Sequence, residues 1–240
     1  MSSCKDWDNY EEPSQTLEGE IVDTNGDPVY TELGGGGIRI KMLELSWSDN
    51  PTPYEFFAMQ NGTFRNTKIF KGEYNIEPQG PFVPLVRTDS LGNVIKDESK
   101  TVEINGVTEV NFEVEPFLNI ELVSDAEVAD DTSSFSVEVR VTRGTSNPDF
   151  QQELTDMYLF VNHSSRYVGD NNFNSQLSPR LRSRQANAAL DSVITLTAPN
   201  FGGLDVRGTY YYYRVAAKID ESVAGLQRYN YSKVDSVLVP

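Results

Sequence analysis

The stretch Ser134-Phe-Ser-Val-Glu-Val-Arg-Val-Thr142 alternates between apolar and polar side chains without a break. Successive side chains on an extended strand point to opposite faces. The pattern therefore sends Phe135, Val137, Val139 and Val141 inward and Ser136, Glu138, Arg140 and Thr142 outward. Thr209-Tyr-Tyr-Tyr-Tyr-Arg-Val-Ala-Ala-Lys-Ile219 follows the same rule over eleven residues. Its odd positions, Tyr211, Tyr213, Val215, Ala217 and Ile219, are expected inside, and Tyr210, Tyr212, Arg214 and Lys218 outside. No stretch of the chain holds a helical period. The expectation is an all-β protein.

Length and charge narrow the options. A chain of 240 residues suits one large or two ordinary domains. No apolar run reaches the ~20 residues that a membrane-spanning helix needs. The net charge of −16 argues against nucleic acid, which requires clustered Lys and Arg. Residues 1–116 carry −12 of it and residues 117–240 only −4. With one cysteine there is no disulfide framework, so each domain depends on its own core.

From residue 17 the chain reads as strands and turns. Leu17 to Val22 is a strand entering the turn Asp23-Thr-Asn-Gly-Asp-Pro28. That turn resembles a calcium loop, but its glycine is at the fourth place and not the sixth, so a β-turn is expected. Gly34 to Gly37 read as a flexible loop. Strands are expected at 38–47, 54–59, 63–70, 73–77, 100–104 and 107–114. Asn61-Gly62 and Asn105-Gly106 are read as hairpin turns. A boundary is placed at Pro116. Beyond it, strands are expected at 117–123, 134–142, 155–162, 191–197, 209–219 and 230–239, with a long polar loop from Gly169 to Ala189.

Several motifs carry a family resemblance. Gly19-x-Ile-Val-Asp23, Gly26-x-Pro-Val29, Asn61-Gly-Thr-Phe64, Gly72-x-Tyr-x-Ile76 and Val107-Thr-x-Val-Asn-Phe112 resemble the carboxypeptidase regulatory-like (transthyretin-like) β-sandwich over residues 16–116. The run Tyr211-x-x-x-Val215-x-Ala217 and the strand pattern after it resemble a fibronectin type III-like, immunoglobulin-class sandwich over 117–240. That resemblance implies that the Tyr211 hydroxyl bonds back to its own corner. The expected architecture is two tandem β-sandwiches behind a spacer, 1–15.

Cys4, after Ser2-Ser3 and before an acidic run with too little apolar surface to pack, resembles the lipid-bearing cysteine of bacterial lipoproteins. The whole order resembles an uncharacterised family of two-domain Bacteroidetes surface lipoproteins found with starch-utilisation-type transporter and glycan-binding pairs. That resemblance implies a cell-surface, outer-membrane location, with the membrane reached only through a lipid on Cys4. It also implies glycans or outer-membrane glycan-uptake proteins as partners. It brings no catalytic residues.

The residues themselves offer little chemistry for catalysis. His163 is the only histidine, and no Gly-x-Ser-x-Gly elbow exists to pair with it. No metal or cofactor motif is present, so a non-enzyme without cofactors is expected. Sugars are bound by aromatic faces flanked by amide and guanidinium groups. Three places fit that description: Trp47 with Tyr54, the outward Tyr210 and Tyr212, and the loop holding Asn171, Asn172, Arg180, Arg182 and Arg184. The expected role is a non-catalytic accessory that binds or presents polysaccharide. An adhesion or stalk protein with a protein partner is the alternative, and a glycan-active enzyme comes third.

Overall fold

The computed structural model describes residues 12–46, 48, 50–199 and 202–240, so Cys4 and Trp47 lie outside the described residues. The chain is all-β, with two sandwiches in tandem. The first contains β1 (Gln15–Asp23), β2 (Arg39–Glu44), β3 (Tyr54–Phe57), β4 (Thr63–Ile69), β5 (Gly72–Gln79), β6 (Val86–Thr88), β7 (Val94–Asp97), β8 (Lys100–Ile104), β9 (Val107–Glu109) and β10 (Phe112–Val114). In one sheet β1 lies antiparallel to β4 and parallel to β9 and β10. The facing sheet runs β3-β2-β5-β8, and β6 and β7 form a small hairpin of their own. Leu17, Ile21, Phe64 and Phe112 from the first sheet bury against Ile40, Met42, Tyr74 and Ile76 from the second. Gly19 is required on β1, because a Cβ there would run into the carbonyl of Val110.

Both Asn-Gly turns differ from expectation in one respect. Gly62 and Gly106 adopt positive φ, 78° and 84°, as tight turns need. Neither joins a hairpin, however: β3 and β4 belong to opposite sheets, and so do β8 and β9. A turn is a local preference, whereas sheet membership follows from which face of the strand meets the core. The run 107–114 is also split in two, where the Glu20 amide bonds to the Asn111 side chain at 2.9 Å. Val110, Phe112 and Val114 are buried on alternate positions of that run.

The second sandwich contains β11 (Leu118–Leu122), β12 (Glu127–Val128), β13 (Phe135–Arg143), β14 (Leu154–Asn162), β15 (Arg180–Arg182), α1 (Ser183–Ala189), β16 (Val193–Ala198), β17 (Thr209–Ile219), β18 (Asn230–Tyr231) and β19 (Asp235–Val239). One edge of β13 pairs with β11 and β12, and the other with β16. The facing sheet centres on β14 and β17, with β15 outside β14 and with β18 and β19 outside β17. Phe135, Val137, Val139 and Val141 point into the core as expected, against Leu159, Val161, Tyr211, Tyr213 and Val215. The Tyr211 hydroxyl donates to the Val206 carbonyl at 2.8 Å and accepts from the Val206 amide at 3.0 Å. It is the corner tyrosine that the fibronectin-like resemblance implied.

Residues 169–189 are not simply a loop. They include β15 and the seven-residue helix α1, whose Ala186 and Ala189 are buried. Asn187 anchors the helix by bonding both the amide and the carbonyl of Leu154, at 3.0 and 2.8 Å. Two turns of helix are too short to leave a period in a polar sequence.

The largest departure is on β17. Arg214 sits on its even face, as parity requires, but it is fully buried. The first sandwich covers that face, and Arg214 is part of the seam between the two halves.

Candidate functional site

The seam is polar and closed. Arg214 donates from Nη1 to the Thr31 carbonyl at 2.9 Å, and from Nε and Nη2 to the Ser232 carbonyl at 3.2 and 3.0 Å. Its guanidinium lies 4.0 Å from the centre of the Tyr231 ring. Glu32, on the loop after Tyr30, accepts from the Asn171 amide at 2.5 Å and from the Tyr231 hydroxyl at 3.1 Å. Gly37 lets the loop close, since a Cβ there would strike the Glu32 carbonyl. The Gly37 carbonyl in turn accepts from Arg228 Nε at 2.9 Å, so this glycine segment is a fitted part of the seam and not a free loop. Asn230 ties Pro81 to Leu118, donating to the Pro81 carbonyl at 2.8 Å and accepting from the Leu118 amide at 3.2 Å.

Burial pushes the Glu32 carboxyl above its ordinary 4.5, and Asp170 adds to the rise; the Asn171 amide, the Tyr231 hydroxyl and Arg214 oppose it. Burial likewise lowers Arg214 to about 10. A raised folded-state carboxyl contributes stability that is full below the unfolded pKa and is lost as pH rises through the folded one. Wild type should therefore lose stability relative to Glu32→Gln as pH rises from about 4.5 towards neutrality. Urea unfolding of both proteins across that window measures it, and parallel profiles would count against it.

Beside this seam the two sandwiches leave a groove. One lobe, a cavity of about 470 Å³, lies between the Asp23–Pro28 turn and β11, lined by Asp27, Asn119, Glu121, Arg140 and Thr142 among others. The second, about 630 Å³, is lined by Leu122 of β11 and by Ser124, Asp125, Lys233 and Asp235 among others. Tyr30 and Ile120 line both lobes, so they form the ridge where the lobes join. Both volumes are in the range of ligand pockets.

The groove wall has unused hydrogen-bonding capacity. Among the described residues, the side chains of Asp27, Tyr30, Asn119, Asp125, Thr142 and Lys233 make no hydrogen bond to another protein group. The strand edge adds to this. The Leu118 amide turns away from β13 to reach Asn230, so in this antiparallel register Ile120, two residues on, presents its amide and carbonyl to the same free edge. A half-buried aromatic ring, unpaired donors and acceptors, and a free strand edge thus converge on one concavity. Tyr30 was not singled out from sequence; only the apposition of the two sandwiches distinguishes it from any outward residue after a turn.

The residues singled out from sequence do not converge. Asn171 serves the seam, donating its side chain to the Leu33 carbonyl at 2.7 Å, and Asn172 accepts from the Asn162 side chain at the end of β14 and donates to the Tyr167 carbonyl. Arg180 is not a free loop cation: it is bonded to the buried carboxylate of Asp156, with its guanidinium 5.2 Å from the Tyr158 ring centre. Lys218 holds the other oxygen of Asp156 at 3.7 Å. Arg182 is on the same short strand and Arg184 on α1, both exposed. Tyr210 is half exposed beside Leu238, whereas Tyr212 packs against the cluster of Phe160, Tyr229 and Tyr231. Tyr54 is exposed on edge strand β3, and its hydroxyl accepts from Asn66 at 2.8 Å. None of these residues lines the groove.

His163 Nδ1 is buried without a partner among the described residues, and its ring lies 5.8 Å from that of Tyr211. No group of three His, Cys, Asp or Glu among the described residues could hold a metal ion. No helix among them is long and apolar enough to cross a membrane.

Residues 15–115 match the family described as "Protein of unknown function (DUF3823) N-terminal domain". A solved DUF3823 family protein from Bacteroides uniformis ATCC 8492 is 37% identical, with a TM-score of 0.85 over 95% of this chain and 100% of that one. A second protein from the same strain, described as a "putative carbohydrate binding protein", is 22% identical with a TM-score of 0.71 over 94% and 99%. A DUF3823 family protein from Parabacteroides merdae ATCC 43184 is 21% identical with a TM-score of 0.69 over 95% and 100%. No curated protein matches the chain.

Proposed function

This chain belongs to the DUF3823 family, and from that premise we propose that it is a non-catalytic carbohydrate-binding protein whose site is the groove between its sandwiches. The observation that carries the reading is Tyr30 at the junction of two lobes walled by unpaired polar side chains. A pyranose has one apolar face and a rim of hydroxyls, and it is complementary to a ring set among amides and carboxylates. The carbohydrate-binding description of the structurally similar B. uniformis protein is in keeping with this reading. The protein would work by capture and positioning, as the accessory of a surface glycan-uptake system.

Glycan-array screening followed by calorimetry on the best ligand tests the proposal. Tyr30→Ala should weaken binding about tenfold, since truncating a central aromatic contact costs more than ~1 kcal/mol and each 1.4 kcal/mol is a factor of ten. Unchanged affinity in a folded Tyr30→Ala variant would move the site elsewhere.

The same reading has the protein tethered at the cell surface of an outer membrane through a lipid on Cys4, with the acidic spacer separating the sandwiches from the bilayer. Mass spectrometry of membrane-extracted protein should find Cys4 lipidated, and Cys4→Ala should release the protein into the soluble fraction. An unmodified Cys4 in membrane-bound protein would refute the tether.

The free edge of β11 at Ile120 supports a second reading, in which an extended segment of a partner protein adds to that strand.

A further inference from the structure

The charge of the groove selects among glycans. Among the described residues, Asp23, Asp27, Glu121, Asp125 and Asp235 line the two lobes with Arg140 and Lys233, five carboxylates to two cations. Arg140 is already committed, to Glu121 at 3.3 Å. Asp23 is occupied in its own turn, accepting from the Asn25 and Asp27 amides at 2.8 and 2.9 Å. Asp27 and Asp125 have no cationic partner among the described residues. Lys233 lines the second lobe together with Asp235. The arginines of β15 and α1 line neither lobe.

An ionised carboxylate is acceptor-only, so these walls are built to receive hydroxyl donors. Neutral sugars supply such donors in pairs around the ring. A uronate lying across Tyr30 would meet walls whose described carboxylates outnumber their cations by three. The lobes also extend to both sides of Tyr30, so a single sugar would leave one of them empty.

We propose that the groove takes a neutral oligosaccharide, lying across Tyr30 and reaching both lobes, and turns away chains that bear uronic acids. This inference rests on the carbohydrate-binding reading and narrows it. The repulsion should make a carboxylated chain bind about tenfold more weakly at 20 mM salt, with the gap closing as salt shortens the range of exposed charges to a few ångströms near 1 M.

The test is calorimetry on the intact protein with matched pairs of ligands. Neutral gluco-, manno-, galacto- and xylo-oligosaccharides of six units are screened first. The tightest binder is then oxidised at C6 to its uronate form, or, for a pentose chain, replaced by its glucuronate-substituted form. The expected result is a neutral ligand that binds, and an acidic counterpart that is about tenfold weaker at low salt and recovers in 0.5 M salt. Asp27→Asn with Asp125→Asn should narrow the gap without loss of fold, because both residues are exposed. An acidic counterpart that binds as tightly as the neutral chain overturns the charge selection and leaves the carbohydrate reading standing. Failure of every sugar, neutral and acidic, overturns both. Binding of a Lys-rich extended peptide where no sugar binds overturns both in favour of strand addition along β11.

Discussion

Arg214→Ala is expected to lower the unfolding free energy by about 3–5 kcal/mol, the scale for removing one partner from a buried charged network. Arg214 is wholly buried, and its loss leaves the carbonyls of Thr31 and Ser232 without donors. It also removes the cation that offsets the buried Glu32. Arg214→Lys should recover little, because an ammonium cannot reach both carbonyls as the planar fork does, nor stack on Tyr231 in the same way. Urea titration reads the effect directly, and a loss under about 1 kcal/mol would show that the seam relaxes around the gap. Thr31 directly follows Tyr30, so the variant should weaken glycan binding as well, without touching a groove side chain.

Separating the halves should have the larger effect on function. We propose 16–116 and 117–240 as the two units, with the two main cores lying almost wholly on opposite sides of that boundary; among the described residues, Val83 is the one from the first half that packs into the second core. Expressed alone, neither half should bind the glycan measurably, a loss of at least about a hundredfold. Tyr30 and Asp27 would be in one molecule, and Asn119, Ile120, Asp125 and Lys233 in the other. The second half alone would also uncover the aromatic cluster of Phe160, Tyr229 and Tyr231 at the seam. Mixing the two halves should restore part of the binding, since the seam contacts are complementary surfaces. If one half alone binds as tightly as the whole chain, the groove is not the site.

These two experiments probe the part of the molecule least visible in its sequence. Alternation placed Phe135 to Val141 and Tyr211 to Ile219 inside correctly, because the period of a strand is a property of neighbouring residues. The corner at Tyr211 was legible for a similar reason: its partner, Val206, is five residues away. The two Asn-Gly turns were legible as turns and illegible as connections. Which sheet β4 or β9 joins depends on strands tens of residues distant, and either choice leaves the turn itself unchanged.

Parity put Arg214 on the correct face of β17, yet it could not say that the first sandwich would cover that face. Arginine is rarely buried without a dedicated set of acceptors. Here the acceptors are the Ser232 carbonyl, 18 residues along, and the Thr31 carbonyl, 183 residues back. The site shows the same division. Asn171, Arg180 and Tyr212 have the chemistry of binding residues, but the structure gives them bonds to Glu32 and Asp156 and a place in the aromatic cluster. Tyr30 and Ile120 carry no mark in the sequence and become the ridge of the groove. By itself the sequence determined the all-β class, the turns and the inward faces, because each follows from steric and polar preferences over a few residues. The tertiary structure alone decided the sheet memberships, the buried seam and the groove, because each depends on pairing surfaces that are remote along the chain.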